Sequence, residues 1–334
     1  MPFGSIRLVL AMLLAAASAS VPAQLRPTNS NSAKIIIDTD VGDDVDDAFA
    51  IDFALASPEF QILGVSTAWG DTAMRAQMVD RMLCETGRTE IKVNAGIVTR
   101  ATSPFSQIAW ARAGITHRHG DAVGFLLEQI KTNPGEITLI ALGPLTNIGA
   151  AIDRDPATFR KLKRVVLMGG SIFRGYDKAG STAPQPAEPE YNIARDPMSA
   201  QKLFRSGVPI FMLPLDSTQV KFDQTRRSQL AAISTPMTDS LQILTAEWGH
   251  TTGQTSPTLF DAVAVAYALD ATTCSMTPVH LDVDGQGMTR TTPGVANAQA
   301  CLVPQQDAFF AVLMPRLLGQ KLIGKEACLA SPPH

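Results

Sequence analysis

Apolar and polar positions along this chain alternate in blocks with two different periods. Short β-branched runs bounded by turn residues predict strands, and longer segments with apolar positions every three to four residues predict helices. The first strand falls at 34–37 (KIII), and a helix follows over about 46–56. A second strand at 62–68 leads through Trp69-Gly70-Asp71 into a helix near 72–85. A short strand at 91–96 precedes an irregular stretch to about 120, then a helix at 122–132 and a strand at 137–142. The turn Gly143-Pro144-Leu145-Thr146-Asn147 opens the next helix, which Asn147 is expected to cap. A strand at 164–168 ends in Gly169-Gly170, expected to make a tight turn near a site, and Asp196-Pro197 reads as a helix start with Asp196 as cap. A strand at 208–215, helical sequence from 226 to 270, a hairpin pair over 279–303 and a last helix near 306–318 complete the pattern.

This alternation implies an α/β fold: a Rossmann-like, open, mostly parallel sheet with right-handed crossovers and flanking helices. No internal repeat or linker divides the chain, so residues 34–334 are expected to form a single domain. The Gly/Pro/Ser-rich loop at 171–189 is too long for a plain connection and is expected to shape a site.

Composition adjusts this picture only at the ends. With 334 residues, 45% hydrophobic and 18% charged, the chain suits one large globular domain, and a net charge of −3 gives no basic footprint for nucleic acid. Arg7, the apolar run LVLAMLLAAASASV and Val21-Pro22-Ala23 read as a signal peptide over 1–23, cleaved after Ala23. The run is short for a membrane span of ~20 residues, so a secreted or periplasmic protein with no membrane contact after cleavage is expected. Residues 24–33 read as a flexible mature N-terminus. Of Cys84, Cys274, Cys301 and Cys328, the last three are the expected disulfide partners, with buried free thiols the alternative, and the absence of C-x-x-C argues against zinc.

The chemistry concentrates in KIIIDTDVGDDVDDAFA at 34–50, where a strand buried on both faces ends in Asp38, Asp40, Asp43, Asp44, Asp46 and Asp47. Carboxylates this close repel by ~1 kcal/mol or more per pair. A fold tolerates them when a cation sits among them or most point to solvent, and Asp43 and Asp44 are expected to be solvated. The turn lies between a strand's C-terminal end and a helix, where open α/β sheets bind their ligands. Asp71, Thr146/Asn147, Glu190/Asn192, Asp216 and Asp261 would converge at the same edge. Such an all-oxygen set suits Ca²⁺ or Mg²⁺, and export favours Ca²⁺.

Six motifs in order, D-T-D-V-G…D-D-A (38–48), ALGPLTNI (141–148), VVLMGGS (165–171), EYNIARDP (190–197), LDST (215–218) and FDAVAVA (260–266), resemble those of the inosine-uridine preferring nucleoside hydrolase family. The resemblance covers about 34 to 290. It implies calcium-dependent hydrolysis of ribonucleosides to free base and ribose in nucleoside salvage, by a homodimer or homotetramer. It also implies that Asp40, Asp47, Asp261 and the Leu142 carbonyl ligate Ca²⁺ and that Asp46 and Asn192 hold the ribose hydroxyls, with Glu190 nearer the 5′ side. Asp38 and Asp216 would orient these ligands. Chemistry agrees: the oxocarbenium-like state of glycosidic cleavage needs a gripped sugar and nearby negative charge, and Asp40, beside the attacking water, is the candidate general base.

The chain departs from the family in places. Two extra residues follow the glycine of the first motif. Asp71 stands where many members have Asn, and would still bond a ribose hydroxyl. Phe260 stands where well-known members have the His assigned to protonating the leaving base, so it could serve only as an apolar wall. His250, or His119, is the possible substitute acid, and Trp248 the candidate stacking partner of the base, with a packed aromatic as its alternative. Two other readings stay open. IIIDTDV fits the start of haloacid-dehalogenase-type Mg²⁺ phosphatases, although no suitable lysine and acidic pair follow it. A non-catalytic nucleoside- or sugar-binding protein is the other.

Overall fold

In the computed structural model, residues 32–115, 117–178, 183–324 and 327–329 are described, together with Met1. The signal peptide expected over 1–23 and nearly all of the flexible segment expected over 24–33 lie outside the described residues. Eleven strands form among them: β1 (Ala33–Thr39), β2 (Phe60–Thr67), β3 (Lys92–Ala95), β4 (Gly120–Asp121), β5 (Thr138–Ala141), β6 (Arg164–Met168), β7 (Ile210–Leu213), β8 (Met276–Val279), β9 (Leu281–Val283), β10 (Thr289–Thr291) and β11 (Ala298–Cys301).

Nine of them make one sheet in the order β4-β3-β2-β1-β5-β6-β7-β11-β8. Every pairing in it is parallel except that of the edge strand β8, which runs antiparallel to β11. β1 is central because its isoleucines have no polar face to spare. Ile35 and Ile37 enter the core on one side and Ile36 the core on the other, all fully buried. Each such side chain contributes ~1.5–3 kcal/mol of burial.

The hairpin pair expected near the C-terminus forms only in part. β9 and β10 pair antiparallel as a separate two-stranded sheet, whereas β11 returns to the main sheet beside β7. The buried positions of β11 (Ala298, Ala300, Cys301) explain the difference, since they need a covered sheet rather than an exposed ribbon. The helical stretch from 226 to 270 resolves into Gln224–Ala231, Pro236–Thr252 and Phe260–Leu269, the second of them stopped by Gly253 in the left-handed region.

The cysteines pair as Cys84–Cys328 and Cys274–Cys301. The second bridge joins two of the three late cysteines as expected, and the first corrects that expectation by pairing the third with Cys84. Cys84 sits at the end of the helix Thr72–Glu85, and the C-terminal segment returns to it, with Leu329 bridging Gly114 and Ile115 N donating to Cys328 O. Among the described residues no helix is long and apolar enough to cross a membrane.

Strand order fixes where a ligand can bind. From β1 the chain steps outward through β2, β3 and β4, then returns to β5 on the opposite side of β1. The crossovers diverge at the C-terminal ends of β1 and β5 and leave a crevice there. The acidic turn is the residue run that leaves β1 at this point.

Candidate active site

Two helices deliver the carboxylates. The helix Asp46–Leu55 is buried along its whole length and packs against Phe260–Leu269, with alanines on both (Ala48, Ala50 and Ala54; Ala262, Ala264 and Ala266) allowing close approach. Asp46 and Asp47 occupy the first turn of one helix and Asp261 the first turn of the other. Both helix N-termini therefore present their positive ends to the acids. Carboxylate oxygens of Asp46, Asp47 and Asp261 lie within 4.8 Å of one another, and Asp261 N donates to Asp46 Oδ2 at 3.1 Å. Residues from opposite ends of the chain thus reach one point.

The electrostatics are those of a cation site. Burial first, then the charges of Asp46, Asp47 and Asp40, push the Asp261 carboxyl well above the carboxylate range. Burial followed by Asp44 and Asp47 does the same to Asp46, and burial followed by Asp47 to Asp40. Asp47 rises to about 7, chiefly by burial, although Thr39 donates to it. Oxygen-only donors, buried and mutually repelling, fit a hard divalent cation. The tightest trio includes Asp46, expected to hold ribose, while Asp40 stands beside it. Gly143 makes room for Asp40, since a Cβ there would lie 2.8 Å from Asp40 Oδ1.

Behind the acids stands a residue that sequence reading missed. Arg75, 2% exposed, donates through Nη1 to Asp40 O and to Val41 O, and pairs through Nη2 with Asp43 Oδ1 at 3.0 Å. Burial works against its charge, yet Asp40, Asp43 and Asp47 raise its pKa on balance. Its Nε donates to Trp69 O, which pins the Trp69-Gly70 turn with both residues at φ 63°. A tryptophan there is strained, and such strain is held only where neighbours over-determine it. The signal for Arg75 was the acid count itself, which demands a cation nearby. Asp43 and Asp44, expected to be solvated, are instead half-buried: Asp43 meets Arg75 and Ser103, and Asp44 accepts from Val45 N and lies beside Trp248.

The trio opens into a cavity of about 370 Å³, also lined by Asp40, Leu142, Glu190, Asn192, Trp248 and Phe260. Its volume suits a drug-sized or nucleoside-sized molecule. Asn192 Nδ2 donates to Leu142 O at 2.6 Å and Met168 O at 3.2 Å, which turns its carbonyl oxygen loose for a ligand. Glu190 accepts from the Gly170, Asn192 and Ile193 amides and so fixes the EYN turn, with Gly170 in the left-handed region as the tight turn requires.

Other expected residues do different work. Asp71 is exposed and caps the helix Thr72–Glu85 by accepting from Met74 N at 3.0 Å, and it is absent from the cavity wall. Asp216 accepts from Ile172 N and Phe173 N, so it anchors the start of the 171–189 loop rather than a carboxylate. Asp38 accepts from Asn147 Nδ2 at 2.8 Å and is pushed up to about 7 by burial, against that bond. Asn147 caps nothing: it ties Asp38, Thr67 O and Ile97 N together beneath the site. Asp196 caps the helix Pro197–Phe204 as expected. Among the described residues no histidine lines the cavity. His250 is exposed on the helix Pro236–Thr252, and His119 Nε2 pairs with Asp80 Oδ2 at 2.7 Å. Trp248, by contrast, is buried and lines the cavity, and Phe260 forms wall beside Tyr176, ring edge to face.

The family model of the inosine-uridine preferring nucleoside hydrolases matches residues 35–311. The chain belongs to that family. Relatives of the chain include uridine nucleosidase 1 of Arabidopsis thaliana, 33% identical over 56% of this chain and 58% of that protein. The pyrimidine-specific ribonucleoside hydrolase RihB of Escherichia coli is 31% identical over 55% of this chain and 60% of its own. The chain thus spans about 60% of the length of the curated relatives it matches. A purine-preferring ribonucleoside hydrolase from Gardnerella vaginalis superposes with a TM-score of 0.71 at 26% identity, covering 86% of this chain and 98% of that one. The plant nucleoside hydrolase PpNRh1 has the same fold, with a TM-score of 0.74 at 24% identity and coverage of 86% and 99%.

Proposed function

We propose that this protein hydrolyses the N-glycosidic bond of ribonucleosides to free base and ribose, with Ca²⁺ as its metal, in nucleoside salvage. The observation that carries the reading is the meeting of Asp46, Asp47 and Asp261 at the floor of a nucleoside-sized cavity. Asp47, Asp261, Asp40 or Asp46, and the Leu142 carbonyl would hold the ion. When bound, it would supply Lewis acidity to a water and a grip on a sugar diol.

The chain's own groups do the rest. Asp40, its backbone clamped by Arg75, takes the proton of the attacking water. The Asn192 carbonyl oxygen and the remaining carboxylate edge of the trio accept from ribose hydroxyls. The buried negative charge stabilises the oxocarbenium ring as the bond to the base breaks. Trp248 and Phe260 cover the base with apolar surface and keep water off that side.

Export through a cleaved leader into a secreted or periplasmic location is part of the proposal, supported by two disulfides in a small set of cysteines. A homodimer or homotetramer is its expected assembly. The test incubates the mature protein with inosine, uridine and adenosine, with and without EGTA, and measures ribose. Release that EGTA abolishes and Ca²⁺ restores is the expected result. Phosphate release from nucleotides with Mg²⁺, and no ribose from nucleosides, would overturn it.

A further inference from the structure

The serine and threonine hydroxyls on the side of the cavity that faces the base have spent their hydrogens. Among the described residues, Ser106 Oγ donates to Asp43 O at 2.7 Å, Thr251 Oγ1 to Glu247 O at 3.1 Å and Thr252 Oγ1 to Trp248 O at 2.9 Å. The Tyr176 hydroxyl accepts from Tyr191 N at 3.0 Å beside the Glu190 carboxylate, and the Trp248 indole lies beside Asp44. What Ser106, Thr251 and Thr252 still offer a ligand is lone pairs.

For Tyr191 the direction follows by elimination. Asp43 is ion-paired with Arg75, so its carboxylate only accepts. Ser103 Oγ donates to Asp43 Oδ2, which uses its single hydrogen. Ser103 Oγ and the Tyr191 hydroxyl lie 3.0 Å apart, so the hydrogen between them is the tyrosine's. The phenolic oxygen of Tyr191, on the cavity wall, can then only accept: Thr102 Oγ1 donates to it at 3.5 Å, and its second lone pair is left for a ligand. The chain Arg75–Asp43–Ser103–Tyr191 runs from the buried cation to the cavity, and its direction is set at the arginine.

Resting on the nucleoside hydrolase reading above, we propose that Tyr191 accepts a hydrogen bond from an N–H of the nucleobase. The preferred substrates are then nucleosides whose base carries a ring N–H or an amino group on its outer edge. A base without a donor there sets its lone pair or a methyl group against the phenolic oxygen and loses binding. The same wiring denies Tyr191 a hydrogen to give to the departing base, so it is a recognition residue and not the leaving-group acid.

The experiment compares uridine with 3-methyluridine and inosine with 1-methylinosine, reading kcat/KM, its pH profile and calorimetric Kd in the wild type, Tyr191→Phe and Ser103→Ala. The wild type is expected to favour the parent nucleoside about tenfold in at least one pair. Tyr191→Phe should bring that ratio towards one by weakening the parent. Ser103→Ala, which frees the tyrosine hydrogen to turn to the base, should lower it as well. A ratio unchanged in Tyr191→Phe overturns the proposal. So does loss of a basic limb of the pH profile in that variant with the ratio intact, because Tyr191 would then be a proton donor. A binding preference that vanishes in Tyr191→Phe upholds it even where no ribose is released, and in that case the hydrolase reading alone fails. Binding of none of the four nucleosides overturns both.

Discussion

The floor and the wall of this cavity are built by different means. The floor is carboxylate and backbone held by strand ends and helix N-termini: Asp40 leaves β1, Leu142 leaves β5, and Asp46, Asp47 and Asp261 start two packed helices. The wall is aromatic and hydroxyl groups from irregular segments and a helix end, namely Ser103 and Ser106, Tyr176 and Tyr191, and Trp248. The sheet register positions the floor, whereas long-range hydrogen bonds position the wall. On the proposed function, the floor holds a metal, which tolerates little displacement of its ligands, and the wall meets the base. The division would then put metal binding on rigid elements and base recognition on loops.

Substitutions should separate the two. Asp261→Asn breaks the floor and should lower turnover by several orders of magnitude, roughly 5 kcal/mol in activation free energy, equally for every nucleoside. Steady-state assays with inosine and uridine check this, and a loss confined to one of them would move Asp261 to the wall. Arg75→Met leaves Asp43 and the acidic turn without their buried cation. It should destabilise the metal-free protein by about 3–5 kcal/mol, read from denaturant unfolding, with part of the loss restored by Ca²⁺.

Replacing Cys84 and Cys328 together with Ser tests whether the wall depends on its surroundings, because the bridge spans 244 residues and holds the C-terminal segment against Gly114 and Ile115, at the end of the stretch that carries Ser103 and Ser106. A loss of about 2–4 kcal/mol in stability is expected, with KM moving more than kcat in assays at moderate temperature. Trp248→Phe removes the indole N–H from beside Asp44 and part of the stacking surface. KM should rise about fivefold with kcat near the parent's, as kinetics with two nucleosides would show. His250→Ala should change kcat/KM by less than about twofold, since its side chain is exposed and outside the cavity. A large loss there would return His250 to the site.

The same division governs what could be read from sequence. The central strand, the crossovers, the cavity's place and most floor residues follow from local patterns: a β-branched run ending in acid, and an aspartate heading an alanine-rich helix. Asp71 was misplaced because its side chain, free to cap Thr72–Glu85, satisfies a helix N–H locally. Asn147 was misread in the opposite sense, a capping residue type recruited across three strands. Arg75, Ser103 and Tyr191 stayed invisible because each gains its role from a partner distant in the chain. Pairing Cys84 with Cys328 likewise needs the C-terminal segment's return to Gly114, which no spacing encodes.

The trio at the floor draws on residues near both ends of the polypeptide, and synthesis proceeds from one end. Asp46 and Asp47 emerge early, followed soon by Arg75, whereas Asp261 comes only after most of the sheet. A growing chain therefore carries its acidic turn already neutralised by an arginine, and on the proposed reading it cannot hold its ion firmly until the first seven strands exist. Products truncated before Asp261 would lack the third carboxylate, so capture of the proposed ion would report that synthesis has passed the seventh strand and the helix Phe260–Leu269.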